Sequence, residues 1–267
     1  MSILKNDLPI GFFDSGVGGL TVLKRLKDIL PNENIIFFGD SAHIPYGEKT
    51  KEQLLKYSSD ILELFYKKGC KAVVMACNTT SSLIYDDIKD LYDFRLYPVV
   101  QSVAKMLSEL NVNRLGIFAT KATINSMAYP NEIHKYNPDI KVFGQCCQNW
   151  VNIVENNLTD NPESIYCIAE DLNLMLKNNP DKIVLGCTHY PYLLPILSKF
   201  APSDIFIDPS ISFAKYIKAD LSDANLLNNS ANTPTEEFYV SSNPEQFKKS
   251  AKMFYNLEHA PILVNFK

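Results

Sequence analysis

Two cysteines occupy positions from which a thiol could react. Cys77 closes the apolar run AVVMAC and is followed by Asn78, Thr79 and Thr80; Cys187 closes KIVLGC and is followed by Thr188 and His189. Thiolate is the reactive form, and an unperturbed thiol with a pKa of about 8.5 is only slightly ionised at neutral pH. Nearby donors, a helix N-terminus or a base increase that fraction. His189 could supply the base for Cys187, and Asp14, in FFDSGVGGLTVL, is the nearest candidate for Cys77. One cysteine with a histidine suits a nucleophile, hence acyl transfer or hydrolysis. Two cysteines could form a redox pair, although neither lies in a C-x-x-C context. Two thiols on opposite sides of one substrate carbon could invert it, one removing a proton and the other returning one. Buried cysteine is more often an inert small hydrophobe, so the reactive reading depends on the elements that carry both thiols.

Those elements alternate. Short apolar runs at Ile10–Phe13, Ile35–Phe38, Ala72–Met75, Leu115–Ala119, Lys141–Phe143, Ile183–Leu185, Ile205–Ile207 and Phe238–Val240 read as strands. Leu20–Leu30, Lys51–Lys67, Val103–Leu110, Ser164–Lys177 and Asn243–Tyr255 carry helical spacing, the last opened by a cap and a proline. This alternation predicts an α/β protein with mainly parallel sheets. The chain also resembles itself: IGFFDS matches LGIFAT, IIFFGD matches KVFGQC, and AVVMAC matches KIVLGC, in the same order. We therefore expect two similar α/β domains, each with one cysteine at the C-terminal end of a strand, where open parallel sheets bind ligands. The expected boundaries are residues 1–97 plus 209–267 for the first domain, because Phe238–Val240 needs a sheet to join, and 98–208 for the second. The active site would lie in the crevice between them.

Composition narrows the classes. The chain has 267 residues, a formal net charge of -4 and 21% charged residues. Its basic residues are scattered, which argues against nucleic acid as a partner. No apolar run is long enough to span a bilayer and no signal peptide is evident, so a cytoplasmic protein with reduced thiols is expected. No cysteine spacing suits a metal site. DSGVGG lacks both the Walker lysine and the spacing of a dinucleotide fingerprint, and no lysine sits in a context for a pyridoxal Schiff base; we expect no cofactor and no metal. Cys70, Cys146, Cys147 and Cys167 read as ordinary thiols, and His43 and His134 receive no role.

Four motifs together add a resemblance: GFFDSGVGGLTVL at 11–23, FFGDSAHIPYGEKT at 37–50, ACNTTSS at 76–82 and GCTHYPYL at 186–193. With the looser IFATKATINSMAY and FYVSSNPEQF, the chain resembles the glutamate racemases of the aspartate/glutamate racemase superfamily over nearly its whole length. The resemblance implies cofactor-independent interconversion of L- and D-glutamate for peptidoglycan synthesis. It implies that Cys77 and Cys187 are the acid/base pair, assisted by Asp14 and His189 respectively. It further implies that Ser15, Pro45, Tyr46, Gly47, Asn78, Thr79, Thr123 and Thr188 hold the small-molecule substrate beside those four, with Glu155 behind them. A homodimer is compatible with it. Two family features are absent: the proline after Cys147, and the glycine of the crossing segment, which reads YPVVQSVAKML here. An aspartate racemase of the same superfamily and a non-catalytic binding protein on this fold are the alternatives.

Overall fold

The computed structural model describes residues 5–266. Among the described residues ten strands are formed: β1 Ile10–Asp14, β2 Ile35–Gly39, β3 Ala72–Met75, β4 Arg95–Pro98, β5 Arg114–Ala119, β6 Lys141–Cys146, β7 Lys182–Gly186, β8 Phe206–Ile207, β9 Glu236–Val240 and β10 Ile262–Leu263. They build two sheets, in the orders β10-β9-β2-β1-β3-β4 and β6-β5-β7-β8, and every pairing is parallel. The internal resemblance is therefore topological: β2-β1-β3-β4 repeats as β6-β5-β7-β8.

Helices connect the strands: α1 Leu20–Ile29, α2 Lys51–Lys67, α3 Asn78–Ile88, α4 Val99–Ser108, α5 Lys121–Asn125, α6 Ala128–His134, α7 Trp150–Glu155, α8 Pro162–Leu176, α9 Leu194–Leu197, α10 Pro209–Asp223 and α11 Pro244–Ala251. Strands β1, β2 and β3 are buried at every position, as expected for a sheet covered on both faces. Alternate residues separate the two faces. Phe13, Ile36, Phe38, Val73 and Met75 pack with Leu54, Ile61 and Phe65 of α2. Ile10, Phe12, Phe37 and Val74 face a second core that continues through Leu115, Ile117 and Phe118 of β5. Each such large apolar side chain contributes roughly 1.5–3 kcal/mol by leaving water. Helix α10 packs against both α1 and α4, and α4 against α6, so helices from both sheets interlock.

The structure differs from the sequence reading in places. Strands β4 and β10 and helices α3, α5, α6, α7, α9 and α10 were not expected. Ile205 ends a 3-10 turn, and β8 starts at Phe206. Helix α4 begins at Val99, directly after β4, with Pro98 as its N-cap. The segment without the family glycine thus passes from strand to helix with no intervening loop. No helix among the described residues is long and apolar enough to cross a membrane.

Candidate active site

The first cysteine is delivered by β3. Phe13 of β1 pairs with Met75, and Ala76 N–H donates to Phe13 O at 3.1 Å, so Asp14 and Cys77 leave the same edge of the sheet. Cys77 is the N-cap of α3, whose first turn folds back so that the Thr80 hydroxyl donates to Cys77 O at 3.0 Å. Burial pushes the Cys77 thiol up, and the negative charge of Asp14 adds to this; backbone N–H groups of Thr80 and Thr79 pull the other way and lose. Asp14 is fully buried. Burial raises its pKa despite the charge of His189 and hydrogen bonds donated by the Thr188 hydroxyl and Ser15 N–H, each at 2.9 Å.

The second cysteine follows β7, and a 3-10 turn over Tyr190–Leu193 follows it in place of an α-helix. Cys187 Sγ lies 3.7 Å from His189 Nδ1, while His189 Nε2 lies 2.6 Å from Glu155 Oε1. Burial opposes charge on His189, yet its hydrogen bonds to Cys187 and Glu155 hold its pKa well above the usual imidazole value. Glu155 ends α7. That helix is moored by Trp150 Nε1–H to Asp171 at 2.7 Å, and the loop before it by Cys147 N–H to Ala119 O at 3.0 Å and Tyr190 O–H to Cys147 O at 3.0 Å. These bonds place Glu155 without the proline that the resemblance led us to seek.

The loop Ser15–Gly19 sits between the two halves, and close approach explains its glycines. A Cβ on Gly18 would lie 2.5 Å from Thr188 Oγ1 and 2.7 Å from the His189 ring; one on Gly16 would lie 2.6 Å from Glu155 Oε1. Only bare backbone fits there. Thr188 reaches from β7 to Asp14, and Thr21 returns a hydrogen bond to Thr188 O at 3.2 Å. The site therefore joins a buried carboxylate and thiol from one sheet to a thiol, imidazole and carboxylate from the other. Such a set can take a proton from one side of a small molecule and return one from the other.

A model of the Asp/Glu/Hydantoin racemase family matches residues 18–214. The chain belongs to that family. It is 39% identical over 239 residues to the glutamate racemase of Trichodesmium erythraeum, covering 89% of this chain and 88% of that one. Against the glutamate racemase of Neisseria meningitidis it is 37% identical, covering 92% of each chain. The crystal structure of the Francisella tularensis glutamate racemase, in complex with D-glutamate, superposes with a TM-score of 0.90 at 35% identity, over 97% of this chain and 98% of that one. Family membership makes the chain an isomerase that acts on amino acids.

Other residues expected from the racemase family converge on the same edge. The Thr79 hydroxyl lies 2.9 Å from that of Thr120 and 3.4 Å from that of Thr123, a cluster joining α3 to α5. Pro45, Tyr46 and Gly47 form a turn in which the Tyr46 phenol donates to Asp40. Burial, then Asp40, raise the phenol's pKa, so it stays protonated. Asp40, Thr120 and Tyr129, which had no expected role, also meet the site. Asp40 is buried and accepts from His43 Nδ1 at 2.8 Å, and the His43 ring stacks on Tyr57 at 3.7 Å. His43 thus has a partner that its spacing from Asp40 in GDSAHIPYG could have signalled. Thr120 occupies in LGIFAT the place of Ser15 in IGFFDS. Tyr129, the last residue of IFATKATINSMAY, donates its O–H to Asn78 Oδ1 at 2.7 Å. His134, by contrast, bonds Ile140 O away from the site.

Proposed function

We propose that the chain racemises glutamate, with Cys77 and Cys187 exchanging protons on opposite faces of the α-carbon. The observation that carries this reading is the repeat itself: equivalent strands β3 and β7 each deliver one thiol, and the flanking residues Asp14–Thr188 and Thr79–Thr120 interlock across the crevice. A protonated His189 supports a thiolate at Cys187, while burial keeps Cys77 as a thiol. Cys187 then removes the Cα proton, the electron pair passes into the α-carboxylate as an enediolate, and the Cys77 S–H protonates the other face. The thiols end with exchanged protonation, and the reverse reaction uses the opposite assignment. Asp14 assists Cys77, His189 assists Cys187, and Glu155 keeps His189 charged.

Ser15, Asn78, Thr79, Thr123, Thr188 and the turn at Pro45–Gly47 supply neutral donors for the substrate carboxylates, so no fixed cation competes for a thiolate. The lobes, residues 1–97 with 209–267 and residues 98–208, close on the substrate and exclude water. Relatives named glutamate racemase favour glutamate over aspartate. D-glutamate so formed would serve peptidoglycan synthesis. The test is racemisation of L-glutamate in D2O without added pyridoxal phosphate, with optical activity followed by circular dichroism and Cα deuteration by proton NMR. Loss of optical activity with deuterium entry is expected. A stable signal, with aspartate racemised instead, would replace glutamate as substrate.

A further inference from the structure

We propose that Tyr129 is a positioning residue, which fixes the amide of Asn78 so that its N–H groups face the substrate. Tyr129 stands on α6 and Asn78 opens α3, so the 2.7 Å bond between them also joins the two halves. Both side chains are buried. Burial raises the phenol's pKa, so it keeps its proton, and a buried hydroxyl must donate it. Among the described residues its acceptor is Asn78 Oδ1. The oxygen of the amide is thereby turned to Tyr129 and the NH2 away from it. Asn78 directly follows Cys77, and it borders the same small apolar cavity as Cys187 and Thr188, a space that holds no more than a water molecule.

The ring has an assigned place as well. A Cβ on Gly186, the residue before Cys187, would lie 3.1 Å from Tyr129 Cε2 and 2.9 Å from Phe118 O. The tyrosine thus rests on the end of β7 that carries one thiol, while its hydroxyl holds the residue after the other. Losing the hydroxyl would free the amide to rotate and present an acceptor to a carboxylate.

This inference rests on Asn78 contacting glutamate, so the wild-type assay comes first. Given an active wild type, Tyr129→Phe is expected to raise the KM for glutamate about tenfold with kcat changed less than about twofold. On an Asn78→Ala background the same change should add less than about twofold, because the phenol acts only through the amide. A Tyr129→Phe enzyme with wild-type KM, or losses that multiply in the double variant, would overturn the assignment. Should Tyr129→Phe not fold, Asn78→Asp carries the test: it keeps the acceptor for the phenol and removes the donors. A wild-type melting temperature with KM raised at least about tenfold is then expected, and an unchanged KM would overturn it. A wild type inactive on both glutamate enantiomers would instead remove the glutamate reading, and this inference with it.

Discussion

The two halves of the site start from one plan and finish it differently. In each, the third strand of the repeat ends in a thiol. After Cys77 an 11-residue helix begins at once, and its free N–H groups face the sulfur. After Cys187 the chain makes only a short 3-10 turn over Tyr190–Leu193. The place of Thr79 in the first half is taken by His189 in the second, and that of Asp14 by Ala119. A thiolate at Cys77 therefore draws on backbone dipoles against a neighbouring carboxylate, whereas one at Cys187 draws on an imidazolium. Duplicating a strand is enough to place two thiols. The proposed proton exchange would further require the halves to diverge, so that one thiol can give a proton while the other takes one.

The largest effects should come from what the halves share. Cys77→Ser and Cys187→Ser are each expected to lower kcat by about 10^3-fold or more, because the serine hydroxyl is a much weaker acid than a thiol and its basic alkoxide form is scarcely populated near neutral pH. The readout is circular dichroism of L- and D-glutamate turnover. A variant of either cysteine that keeps near-wild-type turnover would break the comparison and leave a one-thiol chemistry.

Asp14→Asn and His189→Asn address what the halves do not share, with expected losses of about 10- to 100-fold. The enantiomers have equal energy, so kcat/KM must fall equally in both directions and cannot distinguish the halves. Isotope effects can. With 2-deuterated substrates, each variant should enlarge the effect chiefly for the enantiomer whose proton goes to its own cysteine, so the two variants should affect opposite enantiomers. If both enlarge the effect for the same enantiomer, the assignment of one helper to each thiol is wrong.

Gly18→Ala tests the wall between the halves. The added methyl would press first on Thr188 and His189. We expect an intact fold by far-ultraviolet circular dichroism, a loss of kcat of about tenfold, and an isotope pattern like that of His189→Asn. A pattern like that of Asp14→Asn would show that the pressure passes instead through Thr188 to the carboxylate.

How much of this was legible varied with the physics of each element. Strands β1, β2, β3, β5 and β7 are apolar runs because helices cover both faces, and their repetition pointed to both thiols. Strand β4 reads RLYP and runs from exposed to buried, so neither alternation nor a continuous apolar run marks it as an edge strand. Asp208-Pro209 reads as a boundary, and it also opens helix α10: Asp208 is the N-cap, accepting from Ser210 N–H at 3.0 Å. Asp14 and His189 were visible beside the repeated strands. Tyr129 was not, since it acts on Asn78, which only the folded chain brings near, whereas Asp40, His43 and Tyr46 lie within six residues of one another and their spacing carried a signal. Glu155 was visible through the family pattern alone, and its contact with His189 is a tertiary fact.

That contact sets the smallest effect. Against the burial that opposes it, Cys187 and Glu155 together hold a proton on His189. Glu155→Gln keeps a hydrogen-bonding group of the same shape and removes the charge, so the imidazolium should lose its proton at lower pH. If Cys187 needs that imidazolium, the alkaline limb of the kcat profile moves down by about one unit, the size expected for losing one nearby charge. The acid limb should stay in place, and activity at the optimum should fall only a few-fold. No matching alkaline shift is expected on the Cys77 side, where helix N–H groups do not titrate and Asp14, raised by burial, is a carboxylate that bears on the acid limb. An unmoved alkaline limb would mean that His189 serves Cys187 by position rather than by charge, and the two halves would then be less different than their electrostatics suggest.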